Sequence, residues 1–281
     1  MVGAHFTPDV SAPAFDATTR RELTLALALD RGFVRVADLA TAFGVTAVTA
    51  RADLDALERD GHVRRVHGGA VPLASAPDAL RPTREPSFEE ALETSVLPKQ
   101  QIGAAAAAMV RDGQSVILDV GTTGLQIARA LMARADLRDV TIITSGLNLA
   151  LELEAAIPRF AVILTGGALR PRQHSLVFPL AGSVLAEVHA DIAFIGCNGV
   201  DVEHGVTNAN LPEAAVKSLM VKAARRRVAV ADASKLGEVH LARIAPIEDF
   251  DLVLTDAAAP APLVDELRAV GVAVQLAGTT P

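Results

Sequence analysis

The chain of 281 residues exceeds one average domain of about 150 residues and suits roughly two. Apolar residues make up 51% and charged residues 21%; with neither Trp nor Tyr present, this describes a globular protein with an aliphatic core and excludes a disordered one. A lone cysteine, Cys197, excludes an internal disulfide framework; the longest apolar run, Ala104 to Val110, is far short of the ~18 residues of a membrane-spanning helix; and a net charge of −7 leaves nucleic-acid binding to local basic clusters.

Residues 1 to 15 carry Asp9 and no Lys or Arg, so no secretory signal is visible and a cytoplasmic protein is expected. From Thr19 to Arg31, Leu23, Ala26 and Leu27 share one face and Arg20, Arg21 and Glu22 lie outside it, the pattern of an amphipathic helix. A second short helix follows Val36 and carries Ala37, Leu39, Ala40 and Phe43. Gly44 suits its C-cap, and Thr46 suits the N-cap of a third helix, Ala47 to Asp60. In that helix Ala50, Leu54 and Leu57 recur at i, i+4 and i+7 and must face a core, which leaves Ala47, Val48, Arg51, Ala52 and Asp55 outside. Short helices joined by a glycine turn, with one exposed helical face, form a helix-turn-helix arrangement whose outer face enters the major groove. The third helix is not basic, because Arg51 and Arg59 stand against Asp53, Asp55, Glu58 and Asp60. By contrast, His62 to Ala70 holds His62, Arg64, Arg65 and His67 with no acid, alternates like a strand and ends at Gly68-Gly69. It reads as a β-wing beside the recognition helix.

Thr46-Ala-Val-Thr49-Ala-Arg51-Ala-Asp53-Leu54, followed by Arg65-Val-His67-Gly68-Gly69-Ala70, resembles the N-terminal signature of the DeoR family of bacterial transcriptional regulators. The family usually has Thr-Ile-Arg-Arg-Asp-Leu where this chain has Thr49-Ala50-Arg51-Ala52-Asp53-Leu54, so an arginine is missing at 52 and an isoleucine is trimmed at 50. The resemblance implies a winged helix-turn-helix over residues 17–72. It would contact operator DNA through Thr46, Ala47, Val48, Thr49, Arg51 and Ala52, and through Arg64, Arg65 and His67 of the wing.

Pro72, Pro77, Pro82, Pro86 and Pro98 then punctuate a stretch with one short helix expected from Phe88 to Ser95. Recurrent proline makes a semi-rigid connection, and residues 73–98 are read as the linker. Beyond Lys99, strand-like runs at Val116–Asp119, Val140–Thr144, Ala161–Thr165, Ile192–Cys197, Val228–Ala231, Leu252–Thr255 and Val272–Leu276 alternate with helical patterns. Short aliphatic strands separated by helices imply a parallel sheet covered on both faces, a Rossmann-like α/β domain over residues 99–281. In such sheets ligands sit beyond the strand C-termini. Six polar or glycine-rich turns fall there and are expected to converge on one crevice: Asp119 to Gly124, Thr144-Ser145-Gly146, Thr165-Gly166-Gly167, Gly196 to Gly199, Asp232 to Lys235 and Thr255-Asp256. The first precedes a helix carrying Leu125, Ala128, Leu131 and Met132 and has two readings. One is a phosphate-binding turn whose N–H groups and Thr122 and Thr123 hydroxyls meet an anion; the other is an ordinary βα turn in which threonine caps the helix. Arg225-Arg226-Arg227 is read as a helix C-terminus, where cations interact favourably with the dipole.

This half resembles the family's sensor domain in the order and approximate spacing of several motifs. They are Asp119-Val-Gly121-Thr122-Thr123, Gly166-Gly167-Ala-Leu-Arg170, Ile195-Gly196-Cys-Asn198-Gly199-Val-Asp201, Gly205-Val-Thr207 with Glu213 and Lys217, Asp232-Ala-Ser234-Lys235, and Thr255-Asp256. Phe178 stands where the family more often has Gly. The resemblance implies a fold similar to ribose-5-phosphate isomerase and glucosamine-6-phosphate deaminase, and a phosphorylated sugar as effector. On that reading Gly121, Thr122 and Thr123 hold the phosphate, and Lys235, with Lys99 as a second candidate, neutralises its charge of roughly −1.5 to −2. Asp119, Ser145, Gly166, Gly167, Arg170, Asn198, Gly199 and Thr207 shape the crevice, with Asn198 the candidate for a sugar hydroxyl. Glu213 and Lys217, at i and i+4, are either effector groups or a helix-surface pair worth ~0.3 to 0.5 kcal/mol. No His-Glu-x-x-His, Walker A lysine or Gly-x-Ser-x-Gly is present, and no metal or cofactor is expected. The expected protein is a sugar-phosphate-responsive repressor, a homo-oligomer reading related half-sites of operator DNA. The rival is a sugar-phosphate isomerase-like enzyme with an accessory N-terminal domain, for which Glu213 is the candidate base.

Overall fold

The computed structural model, which describes residues 16–31, 33–66, 68–72, 85 and 87–278, divides into two compact units, Met1–Ala79 and Leu80–Pro281. The first contains α1 (Ala17–Arg31), β1 (Val34–Arg35), α2 (Val36–Phe43), α3 (Ala47–Arg59), β2 (Val63–Val66) and β3 (Gly69–Pro72). Gly44 ends α2 in the left-handed region (φ 62°), and Thr46 Oγ1 accepts the Thr49 N–H at 3.1 Å to start α3. Leu39, Ala50, Leu54, Leu57 and Val63 meet in one small core. Arg20 of α1 is joined to Asp53 of α3 by a buried two-pronged ion pair, at 2.5 and 3.1 Å. The three strands form an antiparallel sheet in the order β1-β3-β2. Glycine is required at 69, since a Cβ there would lie 1.9 Å from the Val34 carbonyl oxygen.

The second unit runs α4 (Phe88–Leu92), α5 (Val96–Ala107), β4 (Ser115–Leu118), α6 (Thr122–Ala133), β5 (Val140–Thr144), α7 (Leu147–Leu153), β6 (Phe160–Leu164), β7 (Ala168–Arg170), β8 (Ser175–Val177), α8 (Leu180–Ala186) and β9 (Ala190–Gly196). It continues with β10 (Gly199–Asp201), β11 (Gly205–Asn208), α9 (Leu211–Lys222), β12 (Ala224–Val230), β13 (Ala242–Ala245), β14 (Leu252–Asp256), α10 (Ala261–Ala269) and β15 (Ala273–Ala277). The seven expected strand runs all fall in one seven-stranded parallel sheet, ordered β15-β14-β12-β9-β4-β5-β6. Chain order therefore reverses between β4 and β9, which is the doubly wound switch point. Strand side chains alternate between two cores. Val116, Leu118, Ile142, Phe194 and Val228 pack with α5 and α6, whereas Ile117, Ile143, Ala193, Ile195 and Ala229 pack with α8, α9 and α10. A hairpin, β7-β8, and a small antiparallel sheet, β10-β11-β13, stand apart from the main sheet.

Two expectations change. The expected helix from Phe88 is present as α4, ending at Leu92, but the C-terminal part of the expected linker belongs to the second unit: Phe88 is buried in the α5–α6 core, its N–H donates to the Arg172 carbonyl at 2.9 Å, and α5 has begun by Val96. Arg225, Arg226 and Arg227 belong to β12 rather than to a helix end. α9 stops at Lys222, and Ala224 already pairs with Ala190 of β9, so sheet pairing takes the backbone; Arg227 reaches Asp251 at 3.2 Å.

Candidate functional site

The turns after β4, β9 and β12 flank the switch point and line a cavity of about 330 Å³, toward the lower end of the range for small-molecule sites. Val120 to Gly124 follow β4, Gly196 to Asn198 include the end of β9, and Ala231, Asp232, Ser234 and Lys235 follow β12. Glu213 and Lys217 project from α9, and Asn208 from the end of β11. The other three turns of the expected rim do not reach the cavity, because each has a local backbone task. Ser145 is buried and its carbonyl accepts the Leu176 N–H at 2.8 Å. Gly166-Gly167 opens the β7-β8 hairpin, where a Cβ at Gly167 would lie 2.0 Å from the Val177 carbonyl oxygen. Asp256 accepts the N–H groups of Ala233 and Ala258 at 2.7 and 3.0 Å.

Between β4 and α6 the helix starts on Gly121 (φ 125°) with no side-chain cap, so the threonine-cap reading of this turn does not hold. The N–H groups of Thr122, Thr123 and Gly124 have no acceptor among the described residues, as expected of an uncapped first turn. Gly124 is needed there, since a Cβ would lie 2.2 Å from the Asp119 carbonyl oxygen. Thr122, Thr123 and Lys235 share the cavity wall, and the Lys235 ammonium makes no hydrogen bond or ion pair with a described residue. Lys99 also borders the cavity, but its ammonium donates at 2.7 Å to the carbonyls of both Ala91 and Thr94 and so caps the end of α4. Burial pushes its pKa below the ordinary lysine value.

Beneath the cavity floor, Asp119 is fully buried and pairs with Lys217 Nζ at 2.6 Å; its Oδ2 also accepts the Gly196 N–H at 2.9 Å. Burial opposes the charge on Lys217, but the carboxylates of Asp119 and Glu213 outweigh it and hold the ammonium above its ordinary value. Glu213 and Lys217 are therefore buried cavity groups rather than a helix-surface pair. Glu213 Oε1 accepts from Arg170 at 2.8 Å and from Ser175 Oγ at 2.5 Å. Arg170 stands behind the wall, held by Glu213 and by Glu85. Asn198 borders the cavity and accepts the Ala209 N–H at 2.9 Å, while Gly199 and Thr207 are packed outside it, where a Cβ on Gly199 would meet the Glu238 carbonyl at 2.1 Å. The Cys197 thiol is pushed up to about 12 by burial, which removes it as a nucleophile. Glu85, Thr94, Ser95, Gln173 and Asn208 are wall residues that sequence reasoning missed.

In the N-terminal unit, Ala47, Val48, Arg51 and Ala52 of α3 face outward; Val48 is 71% exposed, an apolar side chain with no core to fill. Thr46 and Thr49 hydrogen-bond each other at 2.9 Å at the helix start. Arg64 is exposed on the wing. Arg65 is engaged instead with α3: its guanidinium donates to Asp55 at 2.7 Å and to the Arg51 carbonyl at 3.2 Å, and its N–H donates to Glu58 at 2.6 Å. That arrangement fastens wing to helix and leaves Arg51 and Arg64, of the expected DNA-contacting arginines, presented outward, while His67 lies outside the described residues.

The DeoR C-terminal sensor domain family matches residues 95–257, and the DeoR-like helix-turn-helix domain family matches residues 20–76. The HTH-type transcriptional regulator GlpR of Haloferax volcanii is 36% identical over 257 residues, covering 91% of this chain and 96% of its own. The transcriptional repressor AccR of Agrobacterium fabrum is 30% identical over 244 residues, 86% of this chain and 91% of its own. The HTH-type transcriptional repressor GlcR of Bacillus subtilis is 34% identical over 218 residues, 78% and 80% of the two chains. Among solved structures, ribose 5-phosphate isomerase A of Methanocaldococcus jannaschii overlays 49% of this chain and 52% of its own at 19% identity and a TM-score of 0.36. With a helix-turn-helix at one end and a sensor fold at the other, each matched in its own right, the chain belongs to the DeoR family of DNA-binding transcriptional regulators.

Proposed function

We propose that the chain is a repressor whose affinity for operator DNA is set by a phosphorylated sugar bound in the cavity at the switch point. One observation carries this reading: the first turn of α6, whose Thr122, Thr123 and Gly124 N–H groups have no acceptor among the described residues, borders a cavity also lined by Lys235, whose ammonium has no partner among the described residues. A helix N-terminus concentrates backbone donors and a positive partial charge, the complement of a phosphate. Asn198, Asn208 and Glu213 on the same wall supply donors and acceptors for sugar hydroxyls. Arg51 and the neighbouring side chains of α3 read the operator, and Arg64 of the wing contacts its backbone. Two copies on related half-sites supply the specificity that one short recognition helix lacks.

Glu213 serves to orient the ligand, its carboxylate fixed in place by Arg170 and Ser175, which both donate to Oε1. No isomerisation of sugar phosphates is expected in a coupled assay. The ligand reading is tested by thermal shift with ribose 5-phosphate, fructose 6-phosphate, glucosamine 6-phosphate and glycerol 3-phosphate beside their unphosphorylated counterparts. A ligand at ~100 times its Kd stabilises by ~2.7 kcal/mol, so a phosphorylated member should raise the melting temperature and its counterpart should not. Equal shifts for both, or none for any, would sink the phosphate site.

A further inference from the structure

One wall of the cavity comes from a segment that neither family match includes, since these end at residue 76 and resume at residue 95. Glu85, Ala91 and Thr94 of that segment border the cavity, joined by Ser95, the first residue of the sensor-domain match. The segment is laced to the β7-β8 hairpin at several points: the Glu85 carboxylate pairs with Arg170, the Glu85 carbonyl accepts from Arg172 at 2.6 Å, and the Phe88 N–H donates to the Arg172 carbonyl at 2.9 Å. Glu89 meets His174 Nε2 at 2.7 Å, and the Phe88 and His174 rings pack edge to face at 5.7 Å. At its far end Lys99 gathers the carbonyls of Ala91 and Thr94, and Ser95 sits in the left-handed region at φ 48°, a conformation unfavourable for a residue with a Cβ. The strap is thus tethered at both ends and strained at its junction with α5.

Its charge arrangement is open toward a ligand. Arg170 is shared by two carboxylates, Glu85 and Glu213, both of which line the cavity, whereas Arg170 itself does not. The two carboxylates, which Arg170 joins, offer acceptor oxygens for hydroxyl donors on the strap on one side and on α9 on the other. In the other direction along the chain, Glu85 lies a few residues after Ala79, where the N-terminal unit ends.

We propose that Glu85 is a ligand-contacting residue of the sensor and that the strap from Glu85 to Ser95 is its coupling element, so that sugar hydroxyls bridging Glu85 and Glu213 hold the strap on the hairpin and thereby bias the chain that leads to the DNA-binding unit. The identity of the bridging ligand rests on the sugar-phosphate reading; the coupling through the strap does not. Thermodynamically, the ligand acts by binding the strap-docked arrangement better than the undocked one.

The test uses the full-length protein, Glu85→Gln, which weakens the pair at the wall, and Arg172→Ala, which cuts the strap's backbone tether from the exposed side of the hairpin. Amide hydrogen exchange over residues 87–95 and affinity for an operator fragment selected from random DNA are measured for each. Both variants should speed strap exchange about tenfold or more, leave the sheet amides of β4 and β9 unchanged, and shift operator affinity about fivefold or more in the same direction, within the usual range of allosteric coupling. In the parent, the four sugar phosphates of the thermal-shift panel and inorganic phosphate are added at equal millimolar concentration. A bound sugar phosphate should slow strap exchange, and inorganic phosphate, which lacks hydroxyl arms, should not. If the strap loosens in both variants while operator affinity stays within twofold of the parent, the coupling is wrong, whatever the ligand. If operator affinity shifts in both variants but no sugar phosphate alters melting or exchange, the coupling stands and the sugar-phosphate reading fails.

Discussion

The chain starts two of its helices next to a threonine, and the two starts are built oppositely. At α3, Thr46 turns its own hydroxyl back onto the Thr49 N–H, and the helix end is closed from within. At α6 the equivalent place is held by Gly121, no side chain caps the turn, and its first residues line a cavity. Lack of a side-chain cap is not enough to mark a site. α7 also has none, yet its Leu147 N–H is taken by the His174 carbonyl at 2.8 Å and its Leu149 N–H by Asn148 Oδ1 at 3.0 Å. The same division separates the charges. Arg20 and Asp53 close on each other inside the N-terminal unit, and the Lys235 ammonium at the cavity has no partner among the described residues. Polar groups that satisfy one another hold the fold, and those left open beside a cavity are available for a ligand. Mutating the first kind should therefore cost stability, and mutating the second should cost ligand response.

The largest expected effect is on a closed group. Asp53→Ala takes the two-pronged carboxylate partner from the buried Arg20 guanidinium, and should destabilise the N-terminal unit by ~3 kcal/mol in urea titration, the low end for a broken buried pair. A loss under 1 kcal/mol would mean that the pair is not the closed contact described. Next comes an open one. Lys235→Ala should weaken sugar-phosphate binding by ~1.5–3 kcal/mol by calorimetry, the worth of a charge-assisted hydrogen bond, with the melting temperature of the free protein unchanged. A lower melting temperature with unaltered affinity would reverse the assignment.

The threonines give the most direct contrast at smaller amplitude. Thr46→Ala should cost ~1 kcal/mol of stability as a lost N-cap, and Thr123→Val should leave stability alone while weakening the ligand by ~0.5–1.5 kcal/mol. Identical behaviour of the two variants would erase the distinction between the helix starts. The smallest effect concerns an exposed tether on the strap. The hydrogen bond from His174 is the main cause that lowers the Glu89 carboxyl from its ordinary value to about 2. A carboxyl with a depressed folded pKa contributes above its unfolded value of ~4.3, and that contribution is lost as pH falls through about 2. Strap protection in the parent should exceed that in Glu89→Gln at neutral pH, and the two should converge as pH drops from ~4 toward ~2. A difference that persists at the acid end would exclude the Glu89–His174 contact as its source.

What the sequence revealed and what it concealed divide along similar lines. Local signals were legible: apolar runs found every strand of the main sheet, Gly44 and Thr46 announced the ends of α2 and α3, and Gly-Thr-Thr-Gly marked the turn at the switch point. Long-range pairing was not. Nothing beside Arg20 reveals that it meets Asp53, and the proline-rich surroundings of Glu85 read as linker because its partner, Arg170, is separated by most of a domain. Glycine signals were ambiguous for a related reason. Gly121 and Gly167 both have positive φ, but one opens a cavity and the other clears a carbonyl, a difference made by neighbours distant in sequence. The arginine triplet was misplaced because its charge suits a helix end, while the pairing of Ala224 with Ala190 had already committed the backbone to β12.

The central claim is that ligand occupancy of the open α6 start controls DNA affinity, and operator affinity measured with and without a saturating sugar phosphate tests it most directly when the parent is compared with Lys235→Ala and Thr123→Val. The parent should lose about 5- to 150-fold in operator affinity on adding the ligand. Both variants, at ligand concentrations that saturate the parent, should respond less while binding the operator like the parent when no ligand is present, because neither residue belongs to the DNA-binding unit. Full response in both variants would contradict the claim and reduce the α6 turn to an ordinary strand-to-helix connection.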